Sequence, residues 1–183
     1  MLKHKQTGLL DGALFHNSAN QDQRPADCDI DLLVIHSISL PPGEFGGDWI
    51  DDLFMNRLDA DAHPYFHEIS SLKVSCHLLI RRDGSQVQYV PLHHRAWHAG
   101  KSNYCGRECC NDFSIGIELE GSDEQAFTDA QYASLVKATR QIMAIYPNIT
   151  QERITSHAAI APGRKTDPGP MFDWQKYFHL LHS

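Results

Sequence analysis

Hydrophobic residues along the chain repeat with two different periods. Asp31-Leu32-Leu33-Val34-Ile35-His36 is continuously apolar between an acid and an imidazole, which predicts a central strand buried on both faces. Phe113 to Glu120 alternates instead. Phe113, Ile115, Ile117 and Leu119 share one face, with Ser114, Gly116, Glu118 and Glu120 on the other, which is the period of a second strand. Val74–Ile80 and Gln86–Val90 predict the arms of a hairpin closed near the turn pair Asp83-Gly84, and Arg153–Ser156 a short strand. Helical spacing follows elsewhere. Thr128-Asp129-Ala130-Gln131 has the form of a capping box. The stripe Tyr132, Leu135, Val136, Thr139, Met143 and Tyr146 behind it predicts the longest helix, stopped by Pro147. Asp173 is placed to cap a last helix burying Trp174, Tyr177, Phe178 and Leu181, and Asp48 a short one burying Trp49, Leu53, Phe54 and Leu58. Strands mixed with a few helices predict an α/β (α+β) layer fold, a single mixed β-sheet flanked by helices.

Length and charge narrow the class. A chain of 183 residues fits one domain with a proper core. Residues 1–29 are polar and broken and are expected to wrap the surface of a domain spanning 30–183. The net charge of −7 argues against nucleic-acid binding, which needs a basic face. No apolar run approaches the roughly 20 residues of a membrane span. Met1-Leu2-Lys3-His4-Lys5-Gln6 lacks the apolar core of a secretory signal, and Cys28, Cys76, Cys105, Cys109 and Cys110 form an odd set without framework spacing. The expectation is reduced thiols in the cytoplasm. The spacing of Cys105, Cys109 and Cys110 matches no zinc finger, and no second pair follows.

Candidate chemistry concentrates in Ser156–Pro170, too rich in Pro and Gly for helix or inner strand. It carries His157, Lys165 and Asp167, and Pro168 biases Asp167 towards extended backbone. One His and one Asp so placed could share a metal ion with a third ligand from elsewhere, leaving Lys165 beside it as a spare cation. His36, closing the buried strand, is the candidate third ligand; the alternative is a hydrogen-bonded core histidine. His77 could face the same cleft in a supporting or structural role. Gly116 leaves an open space beside Glu118, which favours a functional carboxylate over a merely solvated one. Ser37–Gly47 reads as a lid or groove wall, and His93–Gly100, with Trp97, as a groove lining or a packed tryptophan with exposed neighbours.

Three of these runs carry a family resemblance: Val34-Ile35-His36-Ser37-Ile38-Ser39-Leu40-Pro41-Pro42-Gly43-Glu44-Phe45-Gly46-Gly47, Asn111-Asp112-Phe113-Ser114-Ile115-Gly116-Ile117-Glu118-Leu119-Glu120-Gly121 and Ala161-Pro162-Gly163-Arg164-Lys165-Thr166-Asp167-Pro168-Gly169-Pro170. From about residue 30 onward the chain resembles the AmpD family of zinc 1,6-anhydro-N-acetylmuramoyl-L-alanine amidases. The resemblance implies the fold shared with phage-type amidases and peptidoglycan recognition proteins. It also implies one zinc ion on His36, His157 and Asp167, with Glu118 and Lys165 as the catalytic pair. The implied reaction is hydrolysis of the lactyl–L-alanine amide of cytoplasmic anhydro-muropeptides during cell-wall recycling, which indirectly restrains β-lactamase induction. The expected partner is that small soluble substrate, with no nucleic acid or membrane, and the expected state a monomer. Lys73, Trp97, Arg107 and Ala161 are the substrate-binding candidates, and Arg95, Lys101 and Arg164 are further cations for the substrate's carboxylates. Cys109 and Lys73 stand where relatives commonly carry arginine, which puts the tightness of stem-peptide recognition in question.

Overall fold

The computed structural model describes residues 6–183; the expectation drawn from the extreme N-terminus lies, for residues 1–5, outside them. The segment before residue 30 does more than wrap the surface. Leu14–Phe15 (β1) joins the main sheet, and Gln21–Asp22 (β2) forms a small ladder further on. Leu10, Ser18 and Asn20 are buried. Arg24 donates to the carbonyl oxygens of Leu92, Asn111, Asp112 and Ser114, clamping three later segments.

The unbroken apolar run becomes Leu32–Ile38 (β3), followed by the short helices Trp49–Phe54 (α1) and Phe66–Ile69 (α2). Asp48 precedes α1 but makes no side-chain capping bond, contrary to the expectation. The hairpin is Leu78–Ile80 (β4) and Gln86–Gln88 (β5), with Gly84 at φ +85° in the turn, a conformation that costs glycine nothing. Its first arm is shorter than the alternation suggested. Ser75 N–H donates to the Trp97 carbonyl and His77 N–H to that of Gly116, so Val74–His77 is drawn towards other partners. Arg95–Ala96 (β6) pairs with β2, and Asn103–Tyr104 (β7) with Arg107–Glu108 (β8). Then come Ser114–Glu120 (β9), the long helix Asp129–Ile145 (α3), Ile154–Ser156 (β10), the helical turn His157–Ile160 (α4) and Trp174–His182 (α5). The capping box of α3 is present, Thr128 accepting from Gln131 N–H while the Gln131 side chain returns to Thr128 N–H. Asp173 caps α5 by accepting from Lys176 N–H. The turn α4 corrects the reading of 156–170 as wholly non-helical. Pro and Gly begin only at Pro162, and Ser156 Oγ accepts from Ala159 N–H as the cap.

The main sheet has the order β1-β5-β4-β9-β3-β10 and is parallel except for the β4–β5 hairpin. One face, with Leu33, Ile35, Leu78, Ile80, Ile115, Ile117 and Leu119, packs against Tyr132, Leu135, Ala138 and Ile142 of α3 and Tyr177 and Leu181 of α5. On the other, Leu79 packs with Ile50, Leu53 and Phe54 of α1, and Leu32 and Val34 with Phe113 and Ile160. Burial on both sides explains why β3 lacks polar alternation. No helix among the described residues is long and apolar enough to cross a membrane.

Candidate active site and metal centre

Register assembles the site. In the parallel β3–β9 ladder His36 lies opposite Glu118, while in the β10–β3 ladder the last partners are Ser156 and Ile35. The next residue, His157, therefore comes level with His36 as the chain turns into α4. His157, His36 and Glu118 stand abreast at the carboxyl ends of three adjacent parallel strands, where open α/β sheets form their crevices. Asp167 returns to this row because Ala158 N–H donates to the Asp167 carbonyl at 3.0 Å.

His36 Nδ1 lies 2.9 Å from His157 Nδ1 and 3.1 Å from Asp167 Oδ2, and His157 Nδ1 is 3.0 Å from the same oxygen. Among the described residues this is the group of His and Asp side chains spaced to share a metal ion. Both histidines are buried. Burial, only partly opposed by Asp167, lowers the His36 imidazole to about 4, so it is neutral near pH 7. Two imidazole nitrogens and one carboxylate oxygen form a donor set suited to a borderline divalent cation such as zinc. The outer nitrogen of His157, Nε2, lies 3.1 Å from the Ala99 carbonyl, the second-nitrogen hydrogen bond usual for metal-ligating histidines.

Glu118 Oε1 is 4.0 Å from His36 Nδ1, and its Oε2 is buried without a hydrogen-bond partner among the described residues. Burial first, then the charge of Asp167, raises this carboxyl well above its ordinary value, with Lys165 opposing. A groove of about 440 Å³ opens in front of it, lined by Leu40, Phe54, Tyr65, Leu72, Trp97, Lys165 and Asp167 among others. Trp97 Nε1 is buried and has no acceptor among the described residues.

The remaining candidates divide. Lys73 is exposed between two lining residues, Leu72 and Val74, without lining the groove itself. Ala161 lines a second cavity of about 530 Å³ with Lys101, Cys109 and Arg164, and Arg164 borders both spaces. Arg107 is not brought to the groove. It pairs with Asp31 at 2.7 Å and lies over the Phe113 ring at 3.7 Å. Arg95 bridges Asp22 and Asp112. His77 serves the backbone, its Nδ1 accepting from Gly116 N–H at 3.0 Å. All five cysteines are free thiols.

The open space expected beside Glu118 does not exist. A Cβ on Gly116 would lie 2.5 Å from the His98 ring, so the glycine makes room for an imidazole and not for water or substrate. His98 contacts His36 directly, Nδ1 to Nε2 at 2.9 Å, and Ser114 contacts His98 in turn. Neither was singled out from the sequence. The glycine inside a strand was the one available signal of a close neighbour.

Fold and site together define a class: a mixed α/β protein with a His/His/Asp group able to hold one metal ion beside a half-buried carboxylate. The chain belongs to the N-acetylmuramoyl-L-alanine amidase family, whose model, Amidase_2, matches residues 26–170. It is 62% identical over 164 residues to the 1,6-anhydro-N-acetylmuramyl-L-alanine amidase AmpD of Salmonella typhimurium strain SL1344, covering 90% of this chain and 87% of that one. A crystal structure of a selenomethionine AmpD derivative superposes with a TM-score of 0.93 at 57% identity, covering 96% and 97% of the two chains. The Escherichia coli amidase AmiD, in complex with the substrate anhydro-N-acetylmuramic acid-L-Ala-D-γ-Glu-L-Lys, aligns with a TM-score of 0.61 at 32% identity, over 86% of this chain and 60% of that one.

Proposed function

We propose that the chain is a zinc amidase that hydrolyses the amide between the lactyl group of 1,6-anhydro-N-acetylmuramic acid and L-alanine in soluble muropeptides. One observation carries this reading: His36, His157 and Asp167 converge within 3.1 Å of one another beside Glu118, at the floor of a groove. The family is zinc-dependent in general, and the AmpD and AmiD relatives name the anhydro-sugar substrate. Zinc on the three side chains would supply a Lewis acid for the scissile carbonyl and acidify water at neutral pH. Glu118 takes a proton from the attacking water and delivers one to the leaving amine of L-alanine. Lys165, exposed at the groove, steadies the negative charge that develops on the carbonyl oxygen. Trp97, which lines the groove, contributes a contact surface for the substrate, and Lys73 and Ala161 contribute to binding the peptide.

Every residue given a role lies within 30–183, which we take as the catalytic unit, with the preceding segment as edge strand and clamp. Free thiols, two of them on exposed Cys105 and Cys109, support a reducing cytoplasmic setting. There the enzyme acts as a monomer in cell-wall recycling and, by removing muropeptides, restrains β-lactamase induction. The test combines zinc analysis with hydrolysis of an anhydro-muropeptide, its reducing-end counterpart and intact sacculi. One zinc per chain and a strong preference for the anhydro-muropeptide are expected. Equal kcat/KM on the two soluble substrates overturns the specificity, and no release of peptide by zinc-loaded enzyme overturns the activity.

A further inference from the structure

Both candidate histidine ligands turn their outer ring nitrogens onto one dipeptide. His157 Nε2 meets the Ala99 carbonyl at 3.1 Å, and His36 Nε2 meets His98 Nδ1 at 2.9 Å. We propose that His98-Ala99 is a positioning segment that holds both histidines in the tautomer protonated on Nε2. His98 is locked in turn by Ser114, so that two bare Nδ1 atoms face one cation. The inference rests on the reading of this cluster as a metal site and adds residues that the reading does not contain.

The direction of each hydrogen bond follows from the far end of the chain of contacts. The Cys110 carbonyl has no proton to give, so the Ser114 hydroxyl, 2.5 Å away, donates to it. With its one proton committed, Ser114 Oγ accepts from His98 Nε2 at 3.1 Å. His98 is buried, edge-on to the rings of His36 and His77 and without a carboxylate partner among the described residues, the setting of a neutral imidazole with a single N–H. That N–H is on Nε2, which leaves His98 Nδ1 as an acceptor for His36 Nε2–H. A His36 ring that carries its single proton on Nε2 leaves Nδ1, the atom facing His157 and Asp167, bare. Ala99 leads to the same result for His157, because a carbonyl can only accept. With each imidazole protonated on Nε2 alone, His36 Nδ1, His157 Nδ1 and Asp167 Oδ2 present three lone pairs to one point, the arrangement a cation satisfies.

The segment is itself fixed. Asn111 Oδ1 accepts from both His98 N–H at 3.1 Å and Ala99 N–H at 2.8 Å. The His98 ring lies over Gly116, where any side chain would collide with it. A single face of β9 therefore supplies the lock (Ser114), the seat (Gly116) and the catalytic carboxylate (Glu118) in alternation.

The experiment measures zinc affinity by competition with a chromophoric chelator, and reads the His36 tautomer from imidazole ¹⁵N shifts of the metal-free enzyme. His98→Phe, which keeps a ring but no acceptor, is expected to weaken zinc binding about 10–100-fold, the usual scale for an outer partner of a metal-bound histidine. His98→Asn, whose amide oxygen can stand near the place of Nδ1, should recover most of that loss, which a purely space-filling role would not allow. Ser114→Ala frees His98 to change tautomer, so His36 should shift towards the Nδ1–H form and zinc should bind about tenfold more weakly. Should His98→Phe fail to fold, Ser114→Ala decides. Wild-type zinc affinity in the folded variants, with the His36 tautomer unchanged, overturns the inference and leaves the amidase reading intact. Failure of the wild-type enzyme to bind zinc overturns both.

Discussion

Asp51 and Asp167 are both carboxylates withdrawn from water, and their neighbours differ in one respect. Asp51 Oδ1 accepts from the Tyr89 hydroxyl at 2.7 Å and from His16 Nδ1 at 2.8 Å, while Oδ2 accepts from Arg81 at 2.6 Å. Every neighbour brings a proton, and the cluster is complete. Asp167 Oδ2 faces two imidazole nitrogens whose protons are committed on the far side of each ring. Burial would raise the Asp51 carboxyl, and its three proton-bearing partners more than offset it. The difference lies in the proton count. A buried polar cluster that balances its donors and acceptors is structural, whereas one that gathers only acceptors is spaced to hold a cation.

The largest effects belong to the unbalanced cluster. His157→Ala should lose zinc altogether by elemental analysis. Glu118→Gln should keep full zinc while turnover falls at least about 100-fold, the scale of general acid–base groups. Near-normal turnover in a fully metallated Glu118→Gln enzyme refutes its role.

Removing the carboxylate from each cluster sharpens the contrast. Asp51→Ala leaves Tyr89, His16 and Arg81 without their acceptor and should cost about 3–5 kcal/mol, with zinc content unchanged. Asp167→Asn should do the reverse. It removes one of three facing acceptors, so the metal-free variant should unfold no lower than metal-free wild type. It should also lose the stabilisation by zinc, about 2.7 kcal/mol for wild type at a hundredfold excess over Kd. Thermal unfolding with and without zinc checks both. The comparison fails if metal-free Asp167→Asn is destabilised as much as Asp51→Ala.

Asp51 also carries a pH signature. Hydrogen bonds from Tyr89 and His16 and the charge of Arg81 hold its folded-state pKa below the usual value, despite burial. Its stabilisation is therefore present above about pH 4, the unfolded carboxylate value, and is lost as the pH falls through the lower folded value. Asp51→Asn should flatten the acid limb of a plot of urea midpoint against pH. An unchanged slope between neutral pH and pH 3 would exclude Asp51 as its source. The smallest effect is expected at exposed Lys73, where Lys73→Ala should raise KM up to about fivefold with kcat unchanged, the scale of an exposed ion pair.

Much of the scaffold was legible along the chain because its signals are local. The apolar run of β3, the alternation of β9, the capping box of α3 and the Asp173 cap each depend on residues a few positions apart. His36, His157, Asp167 and Glu118 could be singled out as residue types at strand ends and in a Pro-rich loop. Other features left no local trace. Two-residue strands such as β1 are too short to show a period, and Arg24 is committed to carbonyls 68 to 90 residues away. Gly116 announced that something lies close to the strand, yet its neighbour belongs to another segment, and only the packing shows it to be the His98 ring. The chain's own order thus determined which residues could lie on a face and which could bind a metal. Tertiary structure decided which nitrogen of each histidine is bare, because a tautomer is set by the group that the other nitrogen meets, and those groups are brought in by strand register and by a loop 62 residues further along the chain from His36.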